Sequence, residues 1–187
     1  MKVVCGLGNP GSEYADTRHN VGWWILDRAR EEWGFPPFRR VGPARASEAR
    51  LGGHDVLLLK PITYMNRSGA ALAPLTREPD FDFRTDLLVL VDDAALDTGR
   101  VRFRPSGSSG GHNGLRSVEA ALRSQEYARL RVGVGTAPGG VDMADWVLSA
   151  PEPEEADRLR DLVPELVEAV ATWVEHGVDV AATRFNR

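Results

Sequence analysis

The run Leu87-Leu88-Val89-Leu90-Val91-Asp92-Asp93 decides the fold. Its apolar residues do not alternate with polar ones, so both faces of the strand they form must be buried, as at the centre of a parallel sheet covered by helices on two sides. That strand delivers Asp92 and Asp93 to its carboxyl end, which is where open α/β sheets bind ligands.

Working outward, short apolar runs at Lys2–Gly6, 56–60 and 130–134 read as further strands, and helical periodicity is interleaved with them. One helix is expected over 20–33, with Asn20 as a fitting N-cap and Gly34, Pro36 and Pro37 closing it, and a second over 113–123. A shorter helix is suggested over 68–75. Leu159, Leu162, Val163, Leu166, Val170, Trp173 and Val174 recur at spacings of three and four, the apolar face of a last long helix. Pro164 predicts a kink in it or a break between two helices. The reading is a single α/β domain over 1–187, its sheet mixed but mostly parallel, with helices on both faces.

The formal net charge of −4 argues against wholesale coating of nucleic acid, although binding depends on where cations cluster. Much of the acid falls late, at Glu152, Glu154, Glu155, Asp157, Asp161, Glu165 and Glu168, and reads as the solvated face of the last helix. Cys5 is the one cysteine and cannot pair within the chain. The first strand follows Met1 directly, without a leader pattern, and no apolar run approaches the ~20 residues of a membrane span, so a soluble cytoplasmic protein is expected.

Glycines 6, 8 and 11 fit G-x-G-x-x-G after a strand, but Pro10 and the polar run 12–18 precede any helical periodicity. A dinucleotide site needs its helix to open at the third glycine. The loop Gly6-Leu7-Gly8-Asn9-Pro10-Gly11-Ser12-Glu13-Tyr14, followed by Thr17-Arg18-His19-Asn20, instead joins flexible backbone, amide side chains and a titratable base.

Three more clusters follow strands or open a helix: Tyr64-Met65-Asn66-Arg67-Ser68-Gly69, Asp92-Asp93, and Gly110-Gly111-His112-Asn113-Gly114. With Asn9 and His19 they could converge on one cleft. Each has a structural alternative: Asn66 and Asn113 as helix caps, Asp92 as a strand-end turn acid, Tyr14 and Tyr64 as core rings. His54 and His176, beside glycines, read as solvent-facing. Residues 105–111 and 138–141 read as mobile loops around a site. Gly107 to Gly111 also fit the serine-esterase pattern G-x-S-x-G, yet Pro105 and Ser106 separate them from the preceding strand, and no Asp-then-His order follows. Arg102 and Arg104 alternate along a strand and Arg131 lies in a neighbouring-strand motif, so all three could share a face, for phosphates or simply for solvent.

Taken in order, G-L-G-N-P-G-S-E-Y-A-D-T-R-H-N, M-N-R-S-G, D-D after a strand, G-G-H-N-G and R-L-R-V-G-V-G make the chain resemble the bacterial-type peptidyl-tRNA hydrolase family over nearly its whole length. The resemblance implies an α/β fold around a mixed sheet and a monomeric cytosolic enzyme that uses neither metal nor cofactor and cleaves the ester joining a peptide to transfer RNA. His19 becomes the general base, a task suited to an imidazole, which titrates near pH 6.5 when unperturbed. By the same resemblance Asp92 accepts a hydrogen bond from it, and Asn9 tests whether the amino group is acylated. Asn66 and Asn113 hold the peptidyl and terminal nucleotide portions, and Tyr14 and Tyr64 touch the RNA end. Met65 and His112, in the same motifs, count among the substrate contacts, while Arg102, Arg104 and Arg131 are expected on phosphates. A non-catalytic RNA-binding protein on the same fold is the competing reading, and His19, Asp92 and the three asparagines count against it. Val91, Ala95 and Arg67 depart from the family's usual residues and bear on loop shape and peptide preference.

Overall fold

The computed structural model describes residues 1–187. Seven strands form one sheet: β1 (Lys2–Gly6), β2 (Arg39–Val41), β3 (Ala44–Leu51), β4 (His54–Pro61), β5 (Leu87–Asp93), β6 (Val101–Arg104) and β7 (Ala128–Gly133). Their order across the sheet is β2-β3-β4-β1-β5-β7-β6. The four central strands β4, β1, β5 and β7 run parallel, and the flanking pairings are antiparallel. As its unbroken apolar run requires, β5 is central and buried on both faces.

Six α-helices accompany the sheet: α1 (Val21–Glu32), α2 (Phe83–Asp86), α3 (Asn113–Leu122), α4 (Met143–Val147), α5 (Pro153–His176) and α6 (Val178–Phe185). On one face Leu88 and Leu90 pack with residues of α1, α5 and α6; on the other Leu87, Val89 and Val91 pack with α3 and the 3₁₀ segment Met65–Ala71. The expected helix over 68–75 is instead that segment and a second 3₁₀ turn at Leu75–Arg77. Pro164 does not interrupt α5. It lies on the solvent side, where the carbonyl of exposed Arg160, deprived of its donor, can turn to water. His54 is half-buried at the start of β4 rather than free in a loop, and His176 is exposed. No helix is long and apolar enough to cross a membrane.

Two contacts bring the functional ends of these elements together. Gly22, in the first turn of α1, lies so near the sheet that a Cβ on it would come within 2.8 Å of the Leu90 carbonyl oxygen, which draws the start of α1 to the end of β5. Gly69 meets the backbone of Ser117 similarly, and its N–H donates to Ser117 Oγ (2.9 Å), binding the 65–71 segment to α3. At the other edge, the Asn186 side chain exchanges hydrogen bonds with both backbone groups of Phe103, and the Arg187 backbone does so with Val101, so the outer side of β6 is not left open.

Candidate active site

His19 sits in a single 3₁₀ turn, Arg18–Asn20, between the glycine-rich loop and α1. Asp92, 2% exposed, ends the buried part of β5. His112 occupies the N-cap of α3, a place the sequence suggested for Asn113; its Nδ1 accepts the N–H groups of Gly114 (3.0 Å) and Leu115 (3.3 Å). An Nδ1 that accepts must be unprotonated in a neutral ring, so the His112 proton is on Nε2, and that nitrogen donates to Asp92 Oδ1 at 2.8 Å. The other oxygen, Oδ2, lies 2.8 Å from Nδ1 of His19. Because Asp92 is a carboxylate, His19 Nδ1 donates and its Nε2 carries the lone pair.

Burial alone would push the Asp92 carboxyl up, but the adjacent His112 and His19, by charge and by hydrogen bonding, outweigh that and hold it well below the usual carboxylate range. It is therefore an anion whenever the imidazoles are neutral. His19, Asp92 and His112 also have the residue types of a cation site, with ligand atoms within 4.8 Å of one another. A metal on His112 Nε2 would require the ring proton to move to Nδ1, against two backbone N–H donors, so the donor set fits a hydrogen-bonded relay better than a metal.

Asn9 is held from three sides. Its N–H donates to Asn20 Oδ1 (2.9 Å), its carbonyl accepts from Asn20 Nδ2 (3.0 Å), and its own Oδ1 accepts the Met65 N–H (2.8 Å). Asn20 stands at the N-cap position of α1, as expected, but its side chain is spent on clamping Asn9 and gives no capping bond to the helix. With Oδ1 occupied, the amide group that Asn9 can offer a ligand is the donor Nδ2.

Of the other residues singled out from the sequence, Met65 is joined to the site through its N–H on Asn9, while the side chains of Tyr14, Tyr64, Asn66 and Asn113 make no hydrogen bond to it. Tyr64, Asn66 and Asn113 are exposed, and neither asparagine caps a helix; Tyr14 is half-buried in the turn Ser12–Tyr14, while Met65 is buried. The Ser109 hydroxyl bonds neither histidine; the Ser109 carbonyl takes the His112 N–H (3.0 Å), and the loop serves α3 rather than a nucleophile. A separate cavity, about 730 Å³, opens between Pro36, Leu57, Leu59, Leu75 and Phe81, and contains none of these groups.

Arg102 and Arg131 are paired directly across β6 and β7, and Arg104 faces Arg129, so all four project from one face of the sheet. Arg131 is 3.5 Å from Asp93 and donates to the Ser108 carbonyl (2.7 Å). Arg129 was not singled out from the sequence. It is fully buried over the Tyr127 ring and donates to the carbonyls of Gly107 (2.8 Å) and Gln125 (2.8 Å), fixing the 105–111 loop from below. The R-L-R spacing that placed Arg131 on this face applies equally to Arg129.

A family model described as Peptidyl-tRNA hydrolase matches residues 3–187. A peptidyl-tRNA hydrolase of Gemmatimonas aurantiaca is 43% identical over 190 residues, covering 100% of both chains, and one of Symbiobacterium thermophilum is 42% identical, covering 99% of this chain and 98% of its own. Among solved structures, peptidyl-tRNA hydrolase from Acinetobacter baumannii superposes with a TM-score of 0.92 at 30% identity, over 100% of this chain and 94% of that one.

Proposed function

This chain belongs to the peptidyl-tRNA hydrolase family, and on that premise we propose that it hydrolyses the ester between a peptide and transfer RNA, as a cytosolic monomer, with His19 activating the attacking water. The observation that carries the reading is the fixed tautomer of His19: Nδ1 is committed to Asp92, and Asp92 is held in turn by His112.

In the reaction, His19 Nε2 takes a proton from water as the water oxygen bonds to the ester carbonyl carbon. Asp92 remains ionised and steadies the imidazolium. Negative charge gathers on the carbonyl oxygen, and the tetrahedral intermediate collapses by expelling the ribose oxygen of the terminal nucleotide, which recovers the proton from His19. Asn9 Nδ2 donates to an acyl oxygen. A peptide offers such acceptors, whereas the ammonium of an unblocked aminoacyl ester offers only donors and sets charge beside a donor. Asn66, Asn113, Tyr14 and Tyr64 are free to meet the peptide and the RNA end, and unpaired bases can stack on the tyrosines. His112, with both ring nitrogens engaged, acts through Asp92 rather than on substrate.

Incubation with N-acetyl-aminoacyl-tRNA and, separately, unblocked aminoacyl-tRNA tests the reading. Release of transfer RNA from the first alone is expected. Equal release from both, or from neither, would overturn it.

A further inference from the structure

Arg18, immediately before His19, is 1% exposed, and its bonds reach across the molecule. Its backbone N–H donates to the Ser149 carbonyl (3.1 Å). Nη1 lies 2.6 Å from Ser149 Oγ and within 3.3 Å of the carbonyl oxygens of Trp146, Ser149 and Ala150. Nη2 pairs with Glu155 at 3.1 Å, near the start of α5, and the guanidinium carbon lies 3.4 Å from the centroid of the Trp146 ring. Trp146 is tied in turn to the Gly135 carbonyl through its Nε1 (2.8 Å). One side chain thus fastens the turn that carries His19 to the whole segment from α4 to Ala150.

Asn20 ties the same turn to the glycine-rich loop and His19 ties it to β5, but only Arg18 bonds it to the segment from Trp146 to Glu155. The turn contains three residues, has no side-chain cap, and leads into a helix whose own cap residue is occupied with Asn9. The His19 ring must nevertheless keep Nδ1 at 2.8 Å from Asp92, because a shift of this turn lengthens that bond and turns Nε2 away from its target. Only a planar fork can stack on Trp146, serve the Ser149 and Ala150 acceptors from one nitrogen and reach Glu155 from the other.

We propose that Arg18 is a positioning residue for the ester hydrolysis, setting the His19 imidazole by clasping its turn to residues 146–150. The proposal rests on His19 being the base. It predicts an effect on kcat, because Arg18 touches no substrate, and places the lost geometry in the transition state rather than in ground-state binding.

The test is Arg18→Lys, which keeps the charge but cannot fork. We expect kcat on N-acetyl-aminoacyl-tRNA to fall roughly 10- to 100-fold, the scale of an ångström-sized misplacement, with KM within about twofold. The His19 ring ¹⁵N shifts should move towards a mixture of tautomers. Ser149→Ala leaves Arg18 in place and removes its shortest acceptor; a smaller fall in kcat of the same kind is expected, with little further loss in the double variant. Unchanged kcat and ¹⁵N shifts in folded Arg18→Lys, or a normal kcat in Ser149→Ala if Arg18→Lys does not fold, overturns the proposal. Failure of the base assignment is seen separately, as full activity in His19→Ala.

Discussion

Around Asp92 the chain occupies its own polar atoms: both carboxylate oxygens, both nitrogens of His112 and both amide atoms of Asn20 have partners. On β6, two strands away, the Arg102 side chain makes no hydrogen bond, and that of Arg104 makes only a long one, 3.4 Å, to the Phe103 carbonyl. The difference matches what the proposed function asks of each region. A base needs one proton position and one orientation, which burial and multiple partners supply before substrate arrives. A surface for a flexible polyanion gains by leaving its cations free, since attraction to phosphate needs little preset geometry. Arg131 stands between the two, ion-paired with Asp93 and hydrogen-bonded to the 105–111 loop yet aligned with Arg102.

The comparison breaks first if the buried region is not where chemistry happens. His19→Ala is expected to lower kcat by roughly 10²- to 10⁴-fold, the range for a lost general base, and to leave RNA binding nearly intact. An active His19→Ala would transfer the chemistry elsewhere. Asp92→Asn is expected to be milder, about 10²-fold, through the tautomer. The His112 proton is fixed on Nε2 by α3, so the new amide oxygen is drawn to it and the amide nitrogen faces His19. His19 can then accept at Nδ1 and hold its proton on Nε2, where the lone pair is needed. The pH profile of kcat in this variant should change, and an unaltered profile would separate Asp92 from the base.

The same substitution has a signature in stability. The folded-state pKa of Asp92 is depressed, so its carboxylate favours the native state above the unfolded value, near pH 3.9, and that contribution fades as pH falls from there towards the folded value. Asp92→Asn should therefore show a shallower loss of stability below about pH 4 in acid denaturation. A parallel curve would mean that the ion pairing around Asp92 does not stabilise the fold.

Asn9→Ala acts on selection more than on rate. Removing Nδ2 deletes a donor that only an acylated substrate can use, and the ratio of blocked to unblocked turnover should fall by about 10-fold, as expected for one hydrogen bond of roughly 1–2 kcal/mol. The clamp from Asn20 involves Asn9 backbone atoms and survives the change. An unchanged ratio would place discrimination with Asn66 or Asn113.

Much of this fold is legible in the sequence. The unbroken apolar run of β5 placed it at the centre of the sheet, and the apolar spacing of Leu159 to Val174 marked the buried face of α5. The antiparallel edge was less legible. In β3 the buried positions are Ala44, Ala46 and Ser47, residues of weak strand preference whose burial does not alternate, and α6 is too short for a periodic pattern to declare itself. The site residues were visible as types, but their bonds were not. That Asn20 clamps Asn9 rather than capping α1, or that His112 caps α3 while bonding Asp92, depends on chain crossings of 11 and 20 residues that no local pattern encodes. Arg18 and Arg129 lay inside quoted motifs; what was missing was their burial.

The smallest effects are expected on the arginine face, and they sharpen the comparison most finely, because they divide it internally. If Arg102 and Arg104 each meet one phosphate, replacing either by alanine should weaken RNA binding and lower the slope of log K against log salt by about 0.7–0.9. Turnover of a minimal ester without the RNA body should not change, since neither side chain is bonded to the loop or to the acids of β5. Arg131→Ala should differ in kind. It removes a cation, but it also frees Asp93 and releases the Ser108 carbonyl, and that loop leads directly into His112. Both the salt slope and the turnover of the minimal ester should therefore fall. Identical behaviour of the three variants on both substrates would erase the distinction between free and engaged cations, and with it the view that this face passes from an RNA surface into the support of the catalytic centre.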